Sequence, residues 1–137
     1  MNVSATTLPG RFVTLEPLRQ RHAADILEVL SDRSICRFLR WGPFTTLAEA
    51  QQLSESAEKL ETAKQALPFA IVLNESGRTI GSNRYLDIRP EDRQLEIGST
   101  FLARRYWGSA ASIEHGYMLV RHCFEQLNCM ATKAEKC

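Results

Sequence analysis

The sequence predicts a single α+β domain in which helices pack against a mainly antiparallel sheet. Three successive β-type segments in the second half are joined by short turns, as in an antiparallel meander. Two segments with helical spacing of apolar residues precede these strands, and a third follows them. The 137 residues, 44% hydrophobic and 24% charged, suit one globular domain. The predicted order is β-α-α-β-β-β-α, with no internal repeat or low-complexity linker.

The first strand and two helices come from the first half of the chain. Segment 11–18 carries β-favouring residues, and a helix with apolar residues at helical spacing is predicted over 19–31. Thr46 and Glu49 match a capping box, which predicts the start of a second helix that extends over 47–64.

The connector 35–43 carries three large apolar residues, Phe38, Leu39 and Trp41. They could close over a pocket or plug the edge of the core, and composition allows both. Trp41 and Phe44 suggest an apolar lining for a substrate without naming one.

The three strands of the meander are predicted over 67–73, 78–88 and 94–102. The turn 74–77 has hairpin composition, and Gly81 is a candidate bulge. Alternation in the third strand predicts one face with Leu95, Ile97, Ser99 and Phe101 and the other with Glu96, Gly98, Thr100 and Leu102.

The last helix is predicted over 109–127. Its apolar stripe, expected to pack on the sheet, consists of Ile113, Tyr117, Val120, Phe124 and Leu127.

Between the third strand and this helix, the loop 103–110 has the composition of an anion site. A helix N-terminus offers unpaired N–H groups and a positive dipole end. Gly108 and Ala110 allow a phosphate to approach the backbone, and Arg104 and Arg105 add positive charge. The sequence therefore predicts that this loop holds the pyrophosphate of a nucleotide-like cofactor.

Several other functions are disfavoured. A net charge of +1 argues against a nucleic-acid partner and an acidic membrane surface. The chain contains neither a P-loop pattern nor a dinucleotide fingerprint. No apolar run approaches the roughly 18 residues of a membrane helix, and the N-terminus lacks signal-peptide features, so we expect a cytoplasmic protein.

The cysteines are expected to be free thiols: Cys36, Cys123, Cys129 and Cys137. A zinc site could be drawn from His115, His122, Cys123 and Cys129, but their spacing matches no standard ligand pattern, so no metal is predicted.

The pattern Arg105-x-x-Gly108-x-Ala110 resembles the Arg/Gln-x-x-Gly-x-Gly/Ala signature of the GNAT acetyltransferases. Its context is similar to the RimJ/RimL-like branch, which modifies protein N-termini and small amines. The segments that carry this similarity are Glu96-Ile97-Gly98, Tyr106-Trp107-Gly108 and His122-Cys123-Phe124-Glu125-Gln126-Leu127. The resemblance covers residues 8–129 of the single domain 1–137, and 130–137 form an atypical tail.

The resemblance implies a GNAT-like sheet with helices on both faces, acetyl-CoA as co-substrate, no metal, and a protein N-terminus or small-molecule amine as acceptor. Gly98 would lie at the family's strand bulge. Glu96 would be the general base that deprotonates the amine; alternatively, it is an ordinary sheet-face carboxylate or a partner of Arg84. The implied cofactor-binding residues are Phe101, Leu102, Ala103, Arg104, Arg105, Tyr106, Trp107, Gly108, Ser109 and Ala110.

In the family, a parallel strand, a further helix and final strands follow the last helix. The chain ends at Cys137, and its tail has few β-branched residues, so at most a stub over 129–132 is expected. We therefore expect a truncated fold with an unpaired edge on the strand 94–102, and activity that is weak or absent unless another chain supplies the missing elements. The alternative function is a non-catalytic CoA-binding or interaction protein. The oligomeric state stays open.

Overall fold

The computed structural model describes residues 3–37, 39 and 42–134, and within them the strands form one six-stranded sheet. Each strand pairs with the strand that follows it in the chain. The strands are β1 (Leu8–Pro9), β2 (Val13–Pro17), β3 (Ala66–Leu73), β4 (Thr79–Arg89), β5 (Gln94–Leu102) and β6 (Ala131–Ala134). The helices are α1 (Ala23–Leu30), α2 (Arg33–Cys36), α3 (Leu47–Thr62) and α4 (Ala110–Glu125). β1 to β5 pair antiparallel, whereas β6 runs parallel to β5. The predicted α+β class is confirmed, and the predicted elements occur in the predicted order, with β1, α2 and β6 in addition.

Local signals placed several elements correctly. Thr46 accepts from the backbone N–H of Glu49 and the Glu49 carboxylate accepts from that of Thr46, so the capping box opens α3. The connector predicted over 35–43 differs, because the Asp32 carboxylate accepts from the Ser34 backbone N–H at 2.9 Å and starts the short helix α2. Phe38 and Trp41 lie outside the described residues.

The core has two parts, one on each face of the sheet. Helix α4 covers one face, where Leu119 and Cys123 are fully buried against strand residues such as Phe69. Helices α1 and α3 cover the other face, where Ile26 and Ala50 are fully buried. The sheet thus has helices on both faces, as the resemblance implied.

The predicted apolar stripe of α4 is wrong except for Leu127. Ile113 and Tyr117 are 73% and 61% exposed, and Val120 and Phe124 are also exposed. The residues that face the sheet instead recur every four positions: Ala111, His115, Leu119 and Cys123. The error has a simple cause: the buried stripe includes a histidine and small side chains, so hydrophobicity alone favours its neighbour.

A bulge in β5 overturns the predicted alternation. Ser82 pairs with Phe101 and Arg84 with Gly98, so Asn83 alone faces two residues of β5. One of these two, Ser99, has a positive φ of 48°. Leu95 and Ile97 therefore share the α4 face with Leu102, while Phe101 turns to the α1–α3 face, contrary to the prediction. Gly98 flanks this bulge.

Gly81 lies beside a second irregularity, where the pairing of β3 with β4 shifts after Ile71. A Cβ atom on Gly81 would lie 2.2 Å from the carbonyl oxygen of Phe101. Glycine is required at this position because β4 and β5 approach closely next to the bulge.

Strand β6 corrects the prediction of a fully unpaired edge. It pairs with Gln94–Ile97, the first half of β5, and its bounds differ from the stub expected over 129–132. Backbone ladder hydrogen bonds need no particular side chains, so a tail poor in β-branched residues still forms a strand. In the described chain, β6 does not extend beside the second half of β5, where the bulge lies.

Candidate functional site

The junction of β5 and α4 contains backbone N–H groups that are unsatisfied hydrogen-bond donors. A 3₁₀ turn (Arg104–Tyr106) leads to Gly108, whose φ is +72°, and the Ser109 side chain caps α4 by accepting from the Ser112 N–H. In the part of the chain that the structure describes, the N–H groups of Gly108, Ala110 and Ala111 have no acceptor. A Cβ on Gly108 would meet nothing within 4 Å, so the loop is open on that side. These features suit a phosphate group.

The two predicted arginines differ in their surroundings. The Arg104 guanidinium lies 3.4 Å from the Asp32 carboxylate, and Arg105 lies over the Tyr106 ring at 5.7 Å from its centroid. Both line a cleft of about 380 Å³ between the loop and α1, which also contains carboxylates such as Glu28. The positive charge near the loop is therefore partly balanced on the α1 side.

The end of β5 holds the groups that the resemblance assigned to pantetheine, and Leu102 and Ala103 already make hydrogen bonds within the chain. The Ala103 N–H donates to the Ile80 carbonyl at 2.7 Å. The indole Nε1–H of Trp107 donates to the Leu102 carbonyl at 2.8 Å. Because Trp107 is 50% exposed, this second bond can exchange for a bond to a ligand without breaking the core.

A second cleft, of about 360 Å³, opens at the bulge. It lies where β6 no longer accompanies β5, and its lining is mostly apolar. The lining residues come from α2, β5, the loop and α4: Ser34, Ile35, Thr100, Phe101, Leu102, Trp107, Ser112 and His115. The cleft thus joins the bulged strand to the first turns of α4.

Glu96 does not line this cleft. Its β5 neighbours Leu95 and Ile97 belong to the α4-side core, so the half-buried Glu96 faces the α1–α3 side. Within the described residues Glu96 makes no side-chain hydrogen bond or ion pair, so the alternative pairing with Arg84 is not observed.

A buried polar pair lies beside the bulge and was not predicted from the sequence. The Nδ2 atom of Asn83 lies 3.1 Å from the Nδ1 atom of His115, and the two residues are 0% and 8% exposed. Burial lowers the pKa of His115 to about 4, so the imidazole is neutral at pH 7. The four-residue recurrence from Ala111 to Cys123 is the sequence signal that could have found His115.

A bulged strand that leads through a glycine-containing loop to a helix N-terminus is the arrangement that the sequence resemblance implied. The chain belongs to the GNAT acetyltransferase family: the Acetyltransferase (GNAT) domain matches residues 13–135. It is 27% identical over 122 residues to the uncharacterized N-acetyltransferase p20 of Bacillus licheniformis, over 89% of this chain and 68% of that protein.

Solved structures agree with this assignment. A GCN5-related N-acetyltransferase from Brucella melitensis superposes with a TM-score of 0.83 at 24% identity, over 94% of this chain. A protein assigned as an acetyltransferase from T. thermophilus gives 0.78 at 31% identity, over 98% of this chain. The chain spans 59% of the length of the first structure and 68% of the second.

Two further findings concern metals and membranes. No cluster of three or more His, Cys, Asp or Glu side chains suited to a metal ion occurs in residues 3–37, 39 and 42–134. Over the same residues, no helix has the length and apolarity needed to cross a membrane.

Proposed function

We propose that this chain binds acetyl-CoA and transfers the acetyl group to a primary amine. The observation that carries the proposal is the set of unsatisfied N–H groups at Gly108, Ala110 and Ala111, next to the cleft at the bulge. The backbone of 105–110 would hold the pyrophosphate, with positive charge from Arg104 and Arg105. Bound acetyl-CoA supplies a thioester carbonyl that an amine can attack.

Phe101, Leu102 and Ala103 would hold the pantetheine arm through their backbone. The Leu102 carbonyl becomes available when the exposed indole of Trp107 turns away. The apolar lining of the cleft suits the methylene groups of the arm.

Glu96 would be the general base, acting directly or through water on the acceptor ammonium. It lies on the same sheet face as α3, where a cleft of about 360 Å³ is lined by residues that include Phe44 and Arg84. We assign the acceptor to this face. Membership of the RimJ/RimL-like branch would make the acceptor a protein N-terminus or a small amine.

The direct test is an assay of thiol release from acetyl-CoA with a panel of amines and N-terminal peptides. Glu96→Gln should lower kcat about 10²-fold to 10⁴-fold, the usual range for a general base. Glu91→Gln, in the exposed turn before β5, is the matched control and should leave kcat unchanged. Equal rates for the two variants would exclude Glu96 as the base.

A second candidate function is a CoA-binding protein without catalysis. The unsatisfied N–H groups lie on the loop and α4, whereas Glu96 lies on the other face of the sheet. This separation of the binding groups from the proposed base favours binding without catalysis. Calorimetric binding of CoA without thiol release from any acceptor in the panel would support this candidate and contradict acetyl transfer.

A further inference from the structure

We propose that His115, as a neutral imidazole with its proton on Nε2, donates a hydrogen bond to the thioester carbonyl oxygen in the cleft beside the β5 bulge. The inference rests on the proposed function, because it assigns a residue to the same reaction. His115 would then stabilise the negative charge that develops on that oxygen when the amine attacks.

The position of His115 supports this role. It lines the cleft together with Thr100 of the bulge. On α4 it lies about one turn after the unsatisfied N–H groups of the loop. Its partner Asn83 is the β4 residue that faces the two bulge residues of β5. The imidazole is therefore fixed between the helix and the bulged segment.

The hydrogen bond from Asn83 selects the tautomer. With the amide oriented so that Nδ2 faces the ring, Nδ2 donates to the Nδ1 atom of His115, and the proton of the neutral ring then lies on Nε2. Nε2 has no partner among the described groups, and His115, which is 8% exposed, lines the cleft. Burial, which lowers the pKa, keeps the ring uncharged at neutral pH.

The other end of the Asn83 amide adds a further observation. Its side chain is 0% exposed, yet its Oδ1 atom has no hydrogen-bond partner in the described structure. A buried carbonyl group without a hydrogen-bond partner destabilises the fold, and a residue that merely fills the core would not be expected to retain one. The arrangement is understandable if Asn83 orients the imidazole toward a ligand.

A fixed neutral donor in an apolar cleft is an effective oxyanion donor, since it needs no reorganisation during the reaction. Loss of one such donor lowers kcat roughly 10²-fold to 10³-fold. The effect should fall on kcat, with the KM for acetyl-CoA little changed, because the charge develops only in the transition state.

Two variants separate this role from a structural one. In His115→Gln the side-chain amide nitrogen replaces Nε2, so a donor at the cleft is kept; in His115→Asn it replaces Nδ1, so only the side facing Asn83 is kept. We expect His115→Gln to retain a kcat at least tenfold above that of His115→Asn. A purely structural role predicts the reverse order or equal values.

The tautomer can be read directly by nitrogen-15 NMR of the wild-type protein at pH 7, with the His115 signals assigned by their absence in His115→Gln. We expect a neutral ring with the proton on Nε2, and a shift of the Nε2 signal when the unreactive ketone analogue of acetyl-CoA binds. A proton on Nδ1, a charged ring, or wild-type kcat in both variants would overturn the inference alone. If calorimetry finds no binding of acetyl-CoA, the proposed function fails and the inference with it.

Discussion

Glu114 should anchor α4, the helix that follows the loop 103–110, to the first hairpin of the sheet. Its carboxylate accepts from the backbone N–H groups of Arg11, Phe12 and Val13 at 3.0, 2.7 and 2.8 Å. Gly10 permits this approach, because a Cβ there would lie 2.6 Å from the carboxylate. Burial alone would raise the pKa of Glu114, but these three bonds and nearby Arg11 lower it below its ordinary value.

Glu114→Ala should therefore destabilise the fold by about 2 kcal/mol. Water can replace the carboxylate at the exposed Arg11 and Phe12 N–H groups, whereas the part-buried Val13 N–H loses its charged acceptor. For a domain of this size the melting temperature should fall by roughly 6–10 °C.

The assay is thermal unfolding followed by circular dichroism, with Glu125→Ala as control. Glu125 lies on the same helix and forms an exposed pair with Arg121, so its loss should cost about 0.3–0.5 kcal/mol. Equal melting temperatures for the two variants would refute the anchoring role of Glu114.

Two other predictions follow from burial. Leu119→Ala should destabilise the protein by about 2–5 kcal/mol in urea unfolding, whereas Tyr117→Ala on the exposed stripe should change stability by less than about 0.5 kcal/mol. The opposite order would show that the stripe predicted from the sequence is the one that packs on the sheet. Because the pKa of His115 is lowered to about 4 in the fold, its contribution to stability is complete above pH 6.5 and is lost as pH falls toward 4, on the order of 3 kcal/mol. His115→Gln should remove that part of the pH dependence, and an unchanged profile would contradict the burial of a neutral ring.

Local chemistry made part of this structure predictable. The Thr46–Glu49 capping box and the hairpin turn at Gly77, with its φ of +73°, follow from a few adjacent residues. The position of the loop 103–110 was likewise predictable from the sequence, because a helix start next to a glycine and two arginines is a short local pattern.

The errors arose where distant segments meet. The bulge at Ser99 depends on pairing with β4, so no strict alternation could reveal that Phe101 and Leu102 exchange faces. The buried face of α4 depends on Asn83, which makes His115 tolerable in the core. Strand β6 forms through backbone pairing, to which residue preferences at the tail contribute little.

The central claim is that the loop after β5 binds the pyrophosphate of CoA, and calorimetric titration with CoA of two glycine variants tests it most directly. Gly108 and Gly77 have nearly the same positive φ, 72° and 73°, and a Cβ added to either would have no atom within 4 Å, so valine strains both backbones alike. Of these two glycines, Gly108 is the one that adjoins the unsatisfied N–H groups of α4. We predict that Gly108→Val weakens CoA binding at least tenfold while Gly77→Val binds like the wild type. Equal affinities for both variants, or no binding by the wild type, would contradict the claim.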